Sequence, residues 1–238
     1  MAYKEFDIPP VGLFKVYKRK GAHSLRLSIT ALGEVRVSQP TWLPYSAGVS
    51  FASTKAAWIE QNRNVDANVL TDGQRIGKQH YLQFVSVDSI SSVKTRLVGS
   101  EIVLSLPIGV SSLDVGSQVA AQKASERALK KECGDLLEPR LNDLAVEFEF
   151  SYETLGYKKL KGRWGSCSNR RHITLNIFLL ELPWQLIDYV LVHELVHTKH
   201  LNHSADFWAE FERCLPDARK LRKEIHKYQP KIGASLQS

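Results

Sequence analysis

The run His193-Glu194-Leu195-Val196-His197 constrains this chain more than any other segment, because it reads H-E-x-x-H. Residues four apart on an α-helix lie on the same face, so the two histidines can direct their imidazole nitrogens at one point. Glu194 is the next residue round the helix and can reach a water held there. The flanking residues are mostly apolar, which predicts a helix buried on much of its circumference. Buried polar groups need partners, and a metal ion would supply them.

A third ligand is expected outside this helix. Zinc binds neutral imidazole, and a catalytic zinc site keeps three protein ligands and one open position. His200 lies on the same face as the pair, but its Cα is about 10 Å along the helix axis from that of His193. Three ligands along one straight helix fit a tetrahedral ion poorly. We therefore assign His193, His197 and His203 as ligands of one Zn²⁺ per chain, with His200 as a weaker candidate.

The residues around His203 predict a bend that can turn it back toward the other two. Asn202 is expected to end the helix in a left-handed conformation. Ser204 is expected to be the N-cap of the next helix, with Asp206 in its first turn. Asp206 or Glu210 is the candidate to orient one of the ligand imidazoles.

Glu194 is the predicted catalytic residue. Coordination to zinc lowers the pKa of a water to about 7, and a carboxylate beside that water can remove its proton. This chemistry assigns Glu194 as a general base for hydrolysis.

The composition of the chain is that of a folded protein without a signal peptide or membrane span. The chain has 238 residues, of which 43% are hydrophobic and 24% charged, as in ordinary folded domains. Residues 1–16 lack the apolar core of a signal peptide. The most apolar run, Ile173–Val196, is interrupted by charged residues, so no membrane span is predicted. The three cysteines, Cys133, Cys167 and Cys214, lack metal-type spacing and are expected to be free thiols, which together predicts a cytoplasmic protein.

The net charge of +7 is concentrated in three groups. Such groups can attract phosphates or nucleic acid, although they are more often solvated faces. The groups are Lys15, Lys18, Arg19, Lys20 and Arg26; Lys158, Lys159, Lys161, Arg163, Arg170 and Arg171; and Arg219, Lys220, Arg222, Lys223, Lys227 and Lys231.

Hydrophobic periodicity predicts an α+β fold with two regions. Region 1–107 is expected to be β-rich with one helix, and Pro107-Ile108-Gly109 marks a break before region 108–238. The predicted elements of the first region are an antiparallel meander of strands 13–18, 24–30 and 34–38, a helix over 46–63, and strands over 76–87 and 93–106.

The second region is predicted to be mostly helical around a short antiparallel sheet, the order of a minimal zincin. Its first helix, 115–147, is expected to bend near Gly134 and Pro139. The other predicted elements are strands 153–164 and 172–177 with a turn at 165–169, the metal helix after Pro183, and helices over 204–214 and 216–228.

Several segments together resemble the YgjP-like metallopeptidase family, which is related to the SprT-like zinc proteases. They are Arg163-Trp164-Gly165-Ser166-Cys167-Ser168, Leu175-Asn176, the run from Tyr189 to His197, Asn202-His203-Ser204 and Phe207-Trp208, with Ser24 to Ser28 and Gly33 to Val37 in the N-terminal half. The resemblance implies a peptidase with zinc on His193, His197 and His203 and a catalytic Glu194. The chain is not a metzincin. His200 replaces the turn glycine of that class, and the methionine turn of that class is impossible because Met1 is the only methionine.

Four residues near the motif are candidates for binding substrate. Arg163, Trp164, Ser166 and Asn176 are expected to line a groove, with Arg163 or a backbone N–H polarising the substrate carbonyl. The alternative is that Trp164 belongs to the core and that Ser166 and Asn176 satisfy backbone groups of a turn. Cys167 is interpreted as a structural thiol.

Three functions remain open from the sequence. The first is a peptidase that acts on peptide or protein substrates. The second is a metal-dependent nucleoside triphosphate pyrophosphatase or phosphohydrolase, which the basic group from Lys158 to Arg171 favours. The family resemblance also implies pyrophosphatase activity. The third is a nucleic-acid-associated binding module that uses the basic groups.

Overall fold

The structure, a computed structural model, describes residues 3–29, 33–62 and 69–232. Strands are concentrated in the N-terminal half and helices in the C-terminal half, which confirms the predicted α+β class. The chain divides into two compact units, residues 1–69 and 70–238. The strands between 75 and 107, which the sequence groups with the N-terminal region, belong to the second unit.

The first unit contains a four-stranded sheet in the order β1-β2-β4-β3. Its elements are β1 (Tyr3–Ile8), β2 (Gly12–Arg19), β3 (Arg26–Ile29), β4 (Val35–Pro40), α1 (Tyr45–Thr54) and α2 (Ala56–Asn62). The buried residues Phe14 and Val16 of β2 lie in register with Val35 and Val37 of β4, so the two central strands share one apolar face.

The predicted antiparallel meander is wrong in one pairing. β1–β2 and β3–β4 are antiparallel, but β2 and β4 are parallel. The chain reverses twice between them, and β3 pairs on the far side of β4, so β4 enters the sheet in the direction of β2. β1 was not predicted. The predicted single helix over 46–63 is two helices that break at Lys55; its end at Arg63 and the predicted strand end at Thr30 lie outside the described residues.

A second four-stranded sheet, in the order β5-β6-β8-β7, packs on a long helix. The elements are β5 (Arg75–Ile76), β6 (His80–Val87), β7 (Lys94–Val98), β8 (Glu101–Pro107) and α3 (Val115–Glu147). On β8, Ile102, Leu104 and Leu106 alternate with more exposed residues and face the core, as period-two packing requires. α3 is one helix of 33 residues, and Pro139 lies inside it.

The third sheet has three strands, β9 (Thr154–Lys158), β10 (Gly165–Cys167) and β11 (His172–Asn176), in the order β10-β11-β9. β10 and β11 are antiparallel as predicted, but β9 and β11 are parallel, so the prediction of a purely antiparallel sheet is wrong. The segment predicted as a turn at 165–169 begins with β10, and the strand predicted to reach Trp164 ends at Lys158.

A 3-10 helix (Ile177–Glu181) leads from β11 into the last three helices, α4 (Trp184–Val196), α5 (Ala205–Cys214) and α6 (Ala218–Ile225). α4 packs against α3, α5, α6 and β10. Arg140 of α3 donates two hydrogen bonds to the Asp188 carboxylate of α4, at 2.9 and 2.8 Å. Bidentate pairs of this kind fix orientation as well as distance. In the described ranges, no helix has both the length and the apolar character to span a membrane.

Candidate metal centre

Three histidines converge at the end of α4. His193 lies in the last turn of the helix and His197 is its C-cap residue, so the i, i+4 spacing places both rings on one face. His203 follows in the turn before α5. The Nε2 atom of His193 lies 3.1 Å from that of His197 and 3.2 Å from that of His203. In the described part of the chain, this is the only group of histidine, cysteine or carboxylate side chains close enough to hold a metal ion.

The spacing of these nitrogen atoms fits a tetrahedral ion. At Zn–N distances of about 2.0–2.1 Å and tetrahedral angles, two ligand nitrogens lie about 3.3 Å apart. The two measured separations are close to that value. Without a cation or a shared proton, the lone pairs of two neutral rings would repel at this distance. The donor set therefore suits a divalent metal such as zinc.

The protonation of the rings also suits a metal. Burial, together with the positive charge that His197, His203 and Arg222 would place nearby, lowers the pKa of His193 to about 3. Burial also lowers the pKa of His197. The Nδ1–H of His197 donates to the carbonyl oxygen of His200 at 2.9 Å, which leaves its Nε2 with a lone pair. Both rings are thus neutral near pH 7, the form that metals bind.

An aromatic floor lies under the three rings. The side chain of Phe207 on α5 is fully buried, and its ring centroid lies 5.1, 4.7 and 4.7 Å from those of His193, His197 and His203. Phe211 lies 5.5 Å from His193 on the same side. This floor keeps water from one side of the site and restricts the rotamers of the imidazoles. The sequence did not assign these phenylalanines a role in the site.

Glu194 is on α4 beside the histidines, and its side chain packs against Gly165 of β10. It is only 4% exposed, and its Oε2 is buried without a hydrogen-bond partner among the described residues. Burial raises the pKa of Glu194 to about 8, while the positive charge of Arg163 acts in the opposite direction. A buried carboxyl group with a raised pKa beside a metal-type site is typical of a functional group rather than a structural one.

Gly165 makes room for this carboxyl group. A Cβ atom at position 165 would lie 2.6 Å from Glu194 Oε1 and 2.9 Å from its Cδ. Any other residue in this part of β10 would therefore displace the carboxylate. The only sequence signal for this role was a glycine between Trp164 and Ser166, which is not specific.

β10 is an edge strand, and Glu194 packs against Gly165 within it. Trp164 O accepts a hydrogen bond from Asn176 N, and Ser168 N donates to His172 O. Antiparallel pairs alternate, so the N–H and C=O groups of Gly165 and Cys167 point away from β11. Because β10 is the outermost strand of the sheet, a strand added on that side could form hydrogen bonds with these groups.

The four candidate substrate-binding residues differ in how buried they are and in what they contact. Asn176 is fully buried, and its Nδ2 donates to the carbonyls of Leu160 and Arg163 at 2.9 and 2.8 Å. We interpret it as a residue that positions the segment before β10. Trp164 packs partly buried against the core. Arg163 is exposed near Glu194, and Ser166 is half-buried in β10 opposite Thr174.

The bend before α5 differs in detail from the prediction. Ser204 is the N-cap as predicted, and its hydroxyl accepts a hydrogen bond from Phe207 N. Asn202, however, does not have a left-handed backbone; its Oδ1 accepts from Ser204 N instead. His200 contributes its carbonyl to the site and is outside the metal-type group. That carbonyl orients His197, whereas Glu210 is paired with Lys199 and Arg213.

Comparisons with known proteins found similarity to metallopeptidases. A family model described as the YgjP-like metallopeptidase domain matches residues 23–228. A search of curated proteins found no match. The crystal structure of the metallopeptidase zymogen of Pyrococcus abyssi abylysin aligns at 27% identity and a TM-score of 0.35, over 38% of this chain and 91% of that one. The zymogen of Methanocaldococcus jannaschii jannalysin aligns at 21% identity and 0.34, over 37% and 92%.

Proposed function

Because this chain belongs to the YgjP-like metallopeptidase family and is therefore a peptidase, we propose that His193, His197 and His203 hold one zinc ion and that Glu194 is the general base. The observation that carries this proposal is the convergence of three Nε2 atoms beside a buried carboxyl group. Zinc bound there would act as a Lewis acid toward the scissile carbonyl and the attacking water.

Glu194 performs the proton transfers in this proposal. Its carboxylate accepts a proton from the attacking water and later delivers it to the leaving amine. Burial raises the pKa of this carboxyl group in the metal-free protein, and the positive charge of a zinc ion beside it would favour the carboxylate that accepts the proton. Gly165 keeps the carboxyl group at its position. Arg163 provides positive charge near the carbonyl oxygen on which negative charge develops.

The substrate is a peptide or protein segment bound in extended form along β10. The outward N–H and C=O groups of Gly165 and Cys167 provide the backbone hydrogen bonds for an added strand. Because Glu194 packs against Gly165, the peptide bond held beside that residue is the one nearest the base. Asn176 supports the arrangement by holding the segment that leads into β10.

The metal content of two matched variants tests the ligand set. Purified protein should contain about one zinc per chain, and His203→Ala should lose most of it, because three-histidine sites depend on each ligand. His200→Ala is the control: it removes a nearby imidazole but keeps the carbonyl that orients His197, so zinc should stay bound. Zinc retained in His203→Ala and lost in His200→Ala would overturn the assignment.

A further inference from the structure

A groove lies in the second unit at the opposite edge of the three-stranded sheet from β10. Its volume is about 940 Å³. One face of α3 forms its floor, the start of β7 forms one side, and the end of β9 forms the other. β9 and β10 are two strand spacings apart, about 10 Å. The groove is thus separate from the metal centre, although both border the same sheet.

The lining is strongly basic. It contains five cationic side chains and one acidic side chain, Glu126, which is paired with Lys159. Arg127 donates a hydrogen bond to the Thr95 hydroxyl at 2.6 Å, which holds its guanidinium at the side of the groove. The cationic residues are Lys123, Arg127, Lys130, Lys158 and Lys159. An occupant of this groove must therefore bring negative charge.

The groove also has an apolar part and borders two sheet edges. Val93, Val119, Ala120 and Ile177 contribute apolar surface, and Val119 is 39% exposed. β7 is the outermost strand of its sheet and β9 the outermost strand of its own. Outermost strands have backbone groups without a strand partner on one side, which suits an extended polypeptide.

We propose that this groove binds an extended, acidic polypeptide segment with apolar residues between its carboxylates. The cationic side chains meet the carboxylates, the apolar surface meets the intervening side chains, and an edge strand pairs with the backbone. A nucleic acid fits less well. Tyr157 is the single aromatic residue in the lining, whereas single-stranded nucleic acids are usually bound on several aromatic rings.

Fluorescence anisotropy with the full chain tests this binding. The probe is a labelled peptide of about twelve residues that alternates Glu and Val, compared with its Gln–Val counterpart. All proteins carry Glu194→Gln so that the peptide stays intact. This makes the test independent of whether the proposed function is correct. The acidic peptide should bind, and its affinity should fall as salt rises.

Neighbouring lysines on α3 provide a matched pair of variants. Lys130 and Lys131 are both exposed on α3, but only Lys130 lines the groove. Lys130→Glu should weaken peptide binding about tenfold, and Lys131→Glu by less than about twofold, because the charge change is the same and only the location differs. Adding Lys123→Glu to Lys130→Glu should weaken it further. The midpoint of thermal unfolding shows whether each variant is folded.

Three results would overturn the proposal. One is equal affinity for the Glu–Val and Gln–Val peptides, because charge would then not matter. Another is the same loss in Lys130→Glu and Lys131→Glu, because the effect would then be a general one of net charge. The third is a single-stranded oligonucleotide that displaces the peptide and loses its own affinity in Lys130→Glu, which would assign the groove to nucleic acid.

Discussion

Two buried glutamates, Glu132 of α3 and Glu194 of α4, lie in very different surroundings. Glu132 is 0% exposed and fully partnered: Oε1 accepts hydrogen bonds from the N–H groups of Lys78 and Gln79 at 2.5 and 3.1 Å, and Oε2 lies 2.6 Å from His80 Nδ1. Glu194 is almost as buried, but its Oε2 has no partner among the described residues.

The difference separates a structural carboxylate from a reactive one. Buried polar groups are normally hydrogen-bonded, since an unpaired one costs stability. Glu132 meets that rule and fastens the turn between β5 and β6 to α3. Glu194 breaks it at a position next to three converging histidines, where an unsatisfied oxygen remains free to accept a proton. We infer that Glu132 contributes to folding and that Glu194 contributes to chemistry at some cost to stability.

Glu194→Gln should give the largest effect. The amide has nearly the same shape but cannot accept the proton, so peptide hydrolysis should fall about a thousandfold while zinc stays bound. Zinc content and peptidase rates measure this. Glu210→Gln, on the neighbouring helix α5, is the control and should keep its activity. Full activity in Glu194→Gln would refute the proposed role. Release of pyrophosphate or phosphate from nucleoside triphosphates that this variant abolishes would favour the pyrophosphatase or phosphohydrolase alternative.

Glu132→Gln should show the opposite pattern. It leaves His80 and two backbone N–H groups with one acceptor oxygen fewer in a buried site, so the free energy of unfolding should fall by about 3 kcal/mol. Zinc binding by the folded protein should be retained. Urea unfolding measures the loss, and Glu138→Gln, at an exposed position of the same helix, should cost less than about 0.5 kcal/mol. Equal losses in the two variants would show that Glu132 is not the anchor described above.

Gly165→Ala tests whether the position of the Glu194 carboxyl group matters. The new Cβ would lie 2.6 Å from Oε1, so the carboxyl group must move. A displacement of about 1 Å can reduce kcat about a hundredfold. Zinc content should not change, because the histidines are on other elements. Gly156→Ala, in β9 of the same sheet, is the control, since no atom lies within 4 Å of its added Cβ. Similar kcat values for both variants would contradict the role given to Gly165.

The features that the sequence predicted well are local ones. The i, i+4 geometry of His193 and His197 depends only on their helix, and the Ser204 cap depends on the three residues that follow it. The α+β class follows from the same short-range periodicity. A third local feature, the bend that returns His203 to the pair, was also predicted, although Asn202 stabilises it with its side chain rather than with a left-handed backbone.

The features that were missed depend on contacts between distant segments. His80 and Glu132 are 52 residues apart, and neither residue type specifies the other. The parallel pairings of β2 with β4 and β9 with β11 depend on which edge of a sheet the chain returns to, which periodicity does not encode. The sequence predicted Gly165 to be a turn residue. The reason a glycine is needed there is the Glu194 side chain, which lies on another element.

The smallest expected effect is on the pH dependence of stability in metal-free protein. Burial raises the pKa of Glu194 to about 8 from its ordinary value of 4.5, so the folded state holds this proton at pH values where the unfolded state has lost it. The stabilisation is complete below pH 4.5 and is lost as the pH rises to 8. Glu194→Gln cannot ionise, so its stability relative to the native sequence should increase between pH 5 and pH 8.

The contribution of His193 to stability depends on pH in the opposite direction, but it is present in both Glu194→Gln and the native protein and cancels when the two are compared. The pKa of His193 is lowered to about 3, so this residue destabilises the fold as the pH falls below 6.5, but it does so in both proteins. Urea unfolding in the presence of a chelator, at several pH values, therefore isolates the contribution of Glu194. A difference that stays constant between pH 5 and pH 8 would mean that Glu194 titrates as an ordinary carboxylate. The distinction between the two glutamates would then not hold.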